Sequence, residues 1–312
     1  MATIEDLQNF GSRAFYLNGS QETAEYVHKR FMDLGLDAEY QDFNAGIHPS
    51  QNVVATLQGS LDPDRRFLIG AHYDSENSMA TSLSLAENLT APGADDDASG
   101  VAAMIEIATV LQGLSLNYTM KYVAFGAEEL GYDHGGGLKG SFFYVASEKS
   151  KNHSYEGSAI LDMIGYQGDS GNHATIVVDD ENNALANATM EAISAQDLNL
   201  SVVVAVNPTI GYSDHYPFWL AGYPSMLVCE AAPYTGVPYE FNPFYHSEQD
   251  TVDHLSQDQM TEITKALLAG ILAMNGLAIE ENGPSVTTTL VLVALCAVVA
   301  VLVIYYISRV KK

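Results

Sequence analysis

Segments with strand patterns and segments with helix patterns alternate along most of this chain. The strand patterns lie at 52–57, 66–71, 121–126, 158–164, 175–178, 201–206 and 225–229, and the helix patterns at 21–34, 98–111, 183–195 and 257–277. Such alternation predicts helices on both faces of a central sheet whose strands are mainly parallel. We therefore expect a three-layer α/β/α sandwich with a mostly parallel, mixed sheet, formed by residues 1–279. Ser256 and Gln259 form a capping-box signature at the start of the last helix.

The remaining residues carry a long apolar stretch. From 282 to 308 there is no charged residue, and the centre, 286–307, is rich in Val, Leu, Ala and Ile. That length is about what a helix needs to cross the hydrocarbon core of a bilayer, and a buried core helix rarely stays apolar on all sides. We expect a short linker at 280–285, one transmembrane helix at 286–307 and a basic tail at 308–312.

Charges beside this stretch orient it. Arg309, Lys311 and Lys312 follow it, whereas Glu280 and Glu281 precede it. Because basic flanks stay in the cytoplasm, we expect a single-pass, membrane-anchored protein with a cytoplasmic C-terminus and an extracytoplasmic domain. Six glycosylation sequons favour the same side: Asn18, Asn88, Asn117, Asn152, Asn187 and Asn199. No signal peptide is recognisable near the N-terminus, so two routes stay open: removal of a signal, or insertion from the C-terminal end, which usually leaves the domain in the cytosol.

The overall charge of the chain excludes one class of partner. The formal net charge is -26, with 39 acidic and 13 basic residues. A surface of this sign repels the phosphates of nucleic acids. No nucleic-acid partner is therefore expected.

Histidines and acidic residues follow the predicted strands, at the ends where ligands collect in an open α/β sheet. The positions are His72 and Asp74 in FLIGAHYD, Asp95, Asp96 and Asp97 in APGADDDASG, Glu128 and Glu129 in YVAFGAEELG, Asp162 in AILDMIGY and His246 in FYHSEQDT. Asp162 is expected inside an apolar strand, where a carboxylate would be costly unless it were paired or bound to metal.

The types of these side chains indicate which cation they would hold. Two histidines with several carboxylates suit borderline cations such as zinc. The chain has only two cysteines, which excludes a structural thiolate site. Five ligands can serve two cations when one carboxylate bridges them, and both cations then activate one water and stabilise the oxyanion formed at a carbonyl. A carboxylate that is not a ligand is needed nearby to carry protons from the water to the leaving group.

Five motifs together carry a resemblance to a known family. GAHYDS, GADDDASG, AFGAEELG, LDMIGY and YHSEQDT resemble those of the co-catalytic di-zinc aminopeptidases typified by secreted bacterial leucine aminopeptidases, which are related to glutaminyl cyclases. The resemblance extends from about residue 10 to residue 277. It implies a zinc peptidase catalytic domain with two Zn²⁺ per chain. It also implies hydrolysis of the N-terminal peptide bond of peptides that have a free amino terminus.

The resemblance also implies the metal ligands. Asp96 would bridge the two cations. His72 and Asp162 would complete one site. Glu129 and His246 would complete the other.

Other residues of these motifs would act beside the ligands. The resemblance implies that Glu128 is the general base and that Tyr245 polarises the scissile carbonyl as an oxyanion donor, although simple packing is an equal alternative for Tyr245. Asp74 would orient His72 and fix its tautomer. Asp214, in the SDHYPF segment, would support the pocket without binding metal.

Asp95 and Asp97 flank the expected bridging residue. Aspartate is a favourable N-cap residue, so both could be turn and N-cap residues, with Asp97 supporting the ligands from behind. The choice of Asp96 as the bridge depends on the resemblance alone.

Two features bear on the substrate. An insert at 132–139, which contains His134, departs from the family pattern and puts substrate preference in doubt; we expect a glycine-rich loop with a solvent-facing histidine. Four aromatic residues near His246 could line an apolar pocket or pack within their loop: Tyr234, Tyr239, Phe241 and Phe244. The pocket interpretation predicts a preference for a large apolar N-terminal residue.

Three alternatives to an aminopeptidase are weaker. A single-zinc glutaminyl cyclase would not need all five ligand positions, and all are present. A carboxypeptidase would need a basic group for the substrate carboxylate, and only Lys139 lies near the motifs. A non-catalytic surface receptor on the same fold should have lost a ligand or the base, and none is missing.

Overall fold

The computed structural model describes residues 1–233 and 235–277. The expected linker at 280–285, transmembrane helix at 286–307 and tail at 308–312 lie outside the described residues, and so does Tyr234. Within the described ranges, no helix is both long enough and apolar enough to span a membrane.

The described residues form one sheet of eight strands. In chain order these are β1 (Asp37–Ala45), β2 (His48–Leu57), β3 (Asp62–His72), β4 (Tyr118–Phe125), β5 (Ser154–Leu161), β6 (His173–Val178), β7 (Ser201–Val206) and β8 (Ser225–Cys229). Their order across the sheet is β1-β2-β4-β3-β5-β8-β6-β7. The central strands β4, β3, β5 and β8 are parallel, whereas β2 and β6 run antiparallel to their inner neighbours. The predicted mixed sheet with a parallel centre is confirmed.

Helices cover both faces of this sheet. They are α1 (Ala2–Gln8), α2 (Asn18–Asp33), α3 (Leu83–Asn88), α4 (Ala98–Leu111), α5 (Lys139–Ser150), α6 (Ala184–Ala195), α7 (His215–Leu220) and α8 (Gln257–Met274), with a 3-10 turn at Val252–His254. One face carries α2, α4, α6 and α8, with α1 against α4, and the other carries α5 and α7. The predicted three-layer α/β/α architecture is therefore confirmed.

Side chains of the central strands fill a core on each side of the sheet. In β3, Phe67 and Ile69 point into the larger core beneath α4, whereas Leu68 points into the smaller core beneath α7. Successive strand residues face opposite sides, so a strand covered on both faces is apolar throughout. Burial of each such side chain contributes about 1.5–3 kcal/mol, which holds β3 rigidly in the middle of the sheet.

Two local predictions differ from the structure. Strand β5 ends at Leu161, so Asp162 follows the strand instead of lying inside it; the next residue, Met163, has a left-handed φ of 54° that ends the extended backbone. Ser256 caps α8 through the N–H of Gln259, 3.2 Å away. Gln259 does not close the capping box, because its amide binds the N–H of His173 and the carbonyl of Tyr166.

Candidate metal centre

The carboxyl ends of the parallel strands carry the candidate side chains. His72 is the last residue of β3, and Asp162 directly follows β5. Glu128 and Glu129 lie just after β4, and Asp96 lies in the turn that leads into α4. His246, on the loop before the 3-10 turn, completes the group. The structure thus brings all five predicted ligands and the predicted base to one edge of the sheet.

Asp96 lies between the two histidines. Its Oδ1 is 3.0 Å from Nε2 of His72, and its Oδ2 is 3.1 Å from Nε2 of His246. Oδ1 of Asp162 is 3.6 Å from Nε2 of His72, and Oε1 of Glu129 is 3.0 Å from Nε2 of His246. Two ligand atoms of one tetrahedral zinc ion lie about 3.3 Å apart, given bonds of about 2.0 Å. Each histidine therefore has two carboxylates beside it, and Asp96 belongs to both sets. The ligand atoms of His72, Asp96 and Asp162 also lie within 4.8 Å of one another.

The electrostatics of this cluster favour cations. Asp96 is 4% exposed and Glu129 6% exposed, so their charges are poorly solvated. Burial opposes protonation of His246, but Glu129 and Asp96 outweigh it and raise its pKa to about 11. Burial likewise lowers the pKa of His72, but the carboxylates around it raise the pKa well above its ordinary value. Because a ligating histidine must be neutral, a bound cation takes the place of these protons, and the donor set fits zinc.

Asp74 lies beside His72, which it was expected to orient. The Nδ1 atom of His72 is 3.2 Å from the main-chain carbonyl of Asp74 but 3.7 Å from its carboxylate, which is too far for a good hydrogen bond. The carboxylate instead accepts the main-chain N–H groups of Glu128 and Glu129, at 3.1 and 3.2 Å. Asp74 therefore orients His72 through its backbone and holds the glutamate pair through its side chain.

Asp97 joins three segments behind the cluster. It is the N-cap residue of α4 and accepts the N–H of Gly100 at 2.9 Å. The same carboxylate accepts the N–H of His72 at 3.2 Å and that of Met163 at 3.3 Å. The start of α4 is thus tied to the ends of β3 and β5.

The role of Asp250 as a support of the main chain at Asp96 was not predicted. The carboxylate of Asp250 accepts the main-chain N–H groups of Asp95 and Asp96, at 3.0 and 3.1 Å. Asp95 in turn accepts the N–H of Gly165 and the amide of Asn242. Burial raises the pKa of Asp250 to about 7. Asp250 lies inside the YHSEQDT motif, so an acid within a matched motif was the signal that could have identified it.

Arg13 was also missed. Its guanidinium is completely buried and donates to the carbonyls of Tyr73, Pro92 and Gly93. Its main-chain N–H donates to Oγ of Ser75 at 3.0 Å. These contacts join the loop after His72 to the loop before Asp96. Because the partners are main-chain carbonyls, no side-chain pattern in the sequence marks the role of Arg13.

Asp214 directly precedes α7 and is fully buried. Burial raises its pKa to about 7, and burial lowers the pKa of the neighbouring His215 to about 4. Within the described part of the chain, neither residue belongs to a group of side chains at metal-ligand spacing. This position agrees with the prediction that Asp214 supports the pocket and does not bind metal.

A cavity of about 470 Å³ opens beside the cluster. It is bounded by His72, Asp96, Glu128, Glu129, Asp162, Met163, Tyr212, Leu227, Cys229, Ala231, Pro233, Phe241 and Tyr245. Tyr245 lies at the rim, 41% exposed, with its ring stacked on His246 at a centroid distance of 3.7 Å.

The aromatic lining differs from the prediction. Phe241 lines the cavity as expected, but Tyr239 stacks on His173 and Phe244 stacks on His254. The interpretation that Tyr239 and Phe244 line an apolar pocket is therefore wrong. The ring of Tyr239 packs at the start of β6, and that of Phe244 packs on the 3-10 turn. The end of β8 instead supplies apolar lining that the sequence pattern did not distinguish from core.

The insert at 132–139 packs against the loops at the edge of the site. Tyr132 contacts Tyr16 edge-on at a centroid distance of 4.8 Å, and Asp133 pairs with His48 at 2.9 Å. His134 is exposed, as expected. At the far end of the insert, N–H groups donate to the main-chain carbonyls of Glu128 and Glu129, both at 2.9 Å. The insert thus supports the backbone of the glutamate pair.

This fold and this site define a metal-dependent hydrolase of the α/β/α sandwich class. Comparison with known families identifies the group within that class: residues 52–271 match peptidase family M28, and the chain belongs to this family. The resemblance inferred from the five motifs is confirmed, and with it the class of zinc-dependent peptidases.

Individual proteins that are similar to this chain include an aminopeptidase and two solved structures. Aminopeptidase YwaD of Bacillus subtilis is 30% identical over 230 residues, which cover 71% of this chain and 44% of that protein, so this chain spans less than half of its length. The zinc aminopeptidase BSAP of Bacillus subtilis has a TM-score of 0.71 at 19% identity, with 88% of this chain and 94% of that chain covered. A glutaminyl cyclase of Fimbriiglobus ruber has a TM-score of 0.66 at 21% identity, with 86% and 92% covered. The two solved structures share the fold with this chain.

Proposed function

We propose that this protein is a zinc-dependent aminopeptidase that removes the N-terminal residue of peptides with a pair of cations bridged by Asp96. One observation carries the proposal: the two carboxylate oxygens of Asp96 contact two different histidines, His72 and His246. A carboxylate so placed suits a bridge between neighbouring cations. Membership of peptidase family M28 and the aminopeptidase relative support the reaction class.

The ligands divide into two sets around that bridge. His72 and Asp162 would hold one cation together with Asp96. Glu129 and His246 would hold the other, again with Asp96. When bound, the two cations lower the pKa of a water between them and stabilise the negative charge that develops on the carbonyl oxygen.

Glu128 is the general base in this proposal. Together with His72 and Glu129 it offers oxygen and nitrogen atoms within 4.8 Å of one another, so it borders the cations. Burial and the neighbouring Glu129 carboxylate raise the pKa of Glu128 well above its ordinary value, against the effect of His72. The carboxylate takes a proton from the attacking water as the water oxygen bonds to the carbonyl carbon. It then gives that proton to the departing amine nitrogen as the carbon–nitrogen bond breaks.

Tyr245 acts as a hydrogen-bond donor from the rim of the cavity. Its hydroxyl group belongs to an exposed ring that is fixed by stacking on His246. A hydroxyl donor aimed at the substrate carbonyl would add to the stabilisation of the developing oxyanion.

The cavity suits an apolar N-terminal side chain. Apart from the ligands and Glu128, its lining includes Met163, Leu227, Ala231, Pro233 and Phe241. In the described residues that bound it there is no arginine or lysine that could bind a substrate carboxylate. This composition supports an aminopeptidase over a carboxypeptidase.

Anilide substrates test both the reaction and the preference. Leu- and Phe-anilides should be cleaved at least about tenfold faster than Lys- and Glu-anilides, because transfer of a large apolar side chain into the cavity is favourable by about 1.5–3 kcal/mol. N-acetyl-Leu-anilide should be inert. Mass spectrometry of a peptide product should show stepwise loss from the amino end. Faster turnover of the charged anilides would contradict the preference, and C-terminal trimming or loss of ammonia from N-terminal Gln would contradict the reaction.

We also propose that the domain is held at the outer side of a membrane by the helix expected at 286–307. The support is the uncharged stretch, the basic residues that follow it and the six sequons. Protease added to intact cells should remove the domain and leave a C-terminal tag protected. Digestion of the tag with protection of the domain would contradict this orientation.

A further inference from the structure

Glu76 lies at the metal centre, although no motif assigned it a role. One carboxylate oxygen of Glu76, one of Glu129 and one ring nitrogen of His246 all lie within 4.8 Å of one another. Glu76 is partly buried. Its carboxylate therefore borders the same cation position as Glu129 and His246.

Hydrogen bonds join the segment around Glu76 to both ligand-bearing loops, one through its side chain and one through the main chain. Oε2 of Glu76 accepts the N–H of Gly131 at 3.1 Å, two residues after Glu129. The N–H of Ser78 donates to the carbonyl of His246 at 3.0 Å. The contact with Gly131 thus orients the carboxylate, and the contact of Ser78 ties the nearby main chain to the loop that carries His246. Hydrogen bonds behind a ligand orient it towards a metal.

The charge balance at this point calls for a cation. Asp96 and Glu129 already bring two carboxylates to His246, and Glu76 adds a third. Within the described ranges, no ion pair joins Glu76 to a lysine or arginine. Grouped carboxylates repel one another unless a cation lies between them, so a bound divalent ion is a partner that this arrangement fits.

We propose that Glu76 is an additional ligand of the cation held by Glu129 and His246. This inference rests on the two-cation function proposed above. It makes the two positions unequal. The cation at His246 would have four protein ligands, with Asp96 and Glu76 included, whereas the cation at His72 would have three. Zinc can expand to five ligands, so both cations would keep a position for the shared water. The additional carboxylate should make the position at His246 the tighter one, so that it fills first.

Zinc titration of the metal-free full chain against a fluorescent competing chelator tests this inference without relying on activity. The wild type should bind two zinc ions with distinct dissociation constants. In Glu76→Gln the tighter constant should weaken at least about tenfold, while the weaker constant changes less than about threefold. Glutamine keeps an oxygen to accept the N–H of Gly131, so the loop contact remains. Thermal unfolding of the metal-free proteins should confirm that the variant is folded.

Glu87→Gln is the matched control. Glu87 is an exposed residue of α3, and its change removes the same charge from the same segment of chain. Both zinc constants should remain as in the wild type. Wild-type constants in Glu76→Gln, or equal weakening of both, would overturn the role of Glu76 and leave the two-cation proposal intact. A wild type that binds one zinc ion would overturn the two-cation proposal itself.

Discussion

Replacing Glu128 with glutamine should lower kcat at least about a hundredfold and leave two zinc ions bound. General-base catalysis typically contributes about 10²–10⁴-fold, and an amide of the same shape cannot take the proton from water. The cavity and the ligand contacts should persist, because Asp74 and the insert hold residues 128 and 129 through main-chain atoms. Anilide turnover and zinc content should be measured on the same samples.

The zinc content separates the two ways in which Glu128→Gln could lose activity. Full activity would show that another group carries the proton. Loss of a zinc ion together with activity would show that Glu128 is a ligand instead of the base. Glu87→Gln, which removes an exposed charge, should match the wild type in both measurements.

Replacing Asp96 with asparagine should weaken the binding of both zinc ions at least about a hundredfold and remove detectable peptidase activity. Each oxygen of Asp96 faces a different histidine. An asparagine would offer one oxygen and one amide N–H donor, so one cation would lose its ligand and the other would lose the bridging charge. Changes even behind a ligand cost about 10–100-fold in affinity, and this change is at a ligand common to both ions.

The flanking aspartates are informative controls for that experiment. Asp95 and Asp97 accept main-chain N–H groups, so their asparagine variants should lose folding stability before they lose zinc affinity. Zinc titration and urea unfolding of all three variants distinguish these effects. Normal zinc binding by Asp96→Asn, with loss in Asp95→Asn or Asp97→Asn, would move the bridge to a neighbouring carboxylate.

The parts of the fold that the sequence predicted well are those with strong local signals. Helix α4 has the predicted bounds, because Asp97 is a good N-cap and the residues behind it are apolar. Strand β1 was missed because it is an edge strand with mostly polar, exposed side chains. Helix α5 was missed because its buried face contains small or polar residues such as Gly140, Ser141 and Glu148, which produce no helical apolar pattern.

The same distinction holds at the metal centre. The strand-end positions of His72, Asp162 and the glutamate pair follow from the alternation of elements and from the motifs. The contacts that support these residues could not be predicted in this way, because they join side chains to distant main-chain atoms. Arg13 reaches carbonyls 60 to 80 residues away, and Asp250 holds N–H groups about 155 residues away. Such partners leave no trace in the local sequence.

The central claim is that two cations share Asp96. Anomalous diffraction at the zinc absorption edge, from crystals of zinc-loaded and active protein, tests it most directly. The account predicts two peaks about 3.5–4 Å apart, one beside each oxygen of Asp96. A single peak, or none, in fully active protein would contradict it.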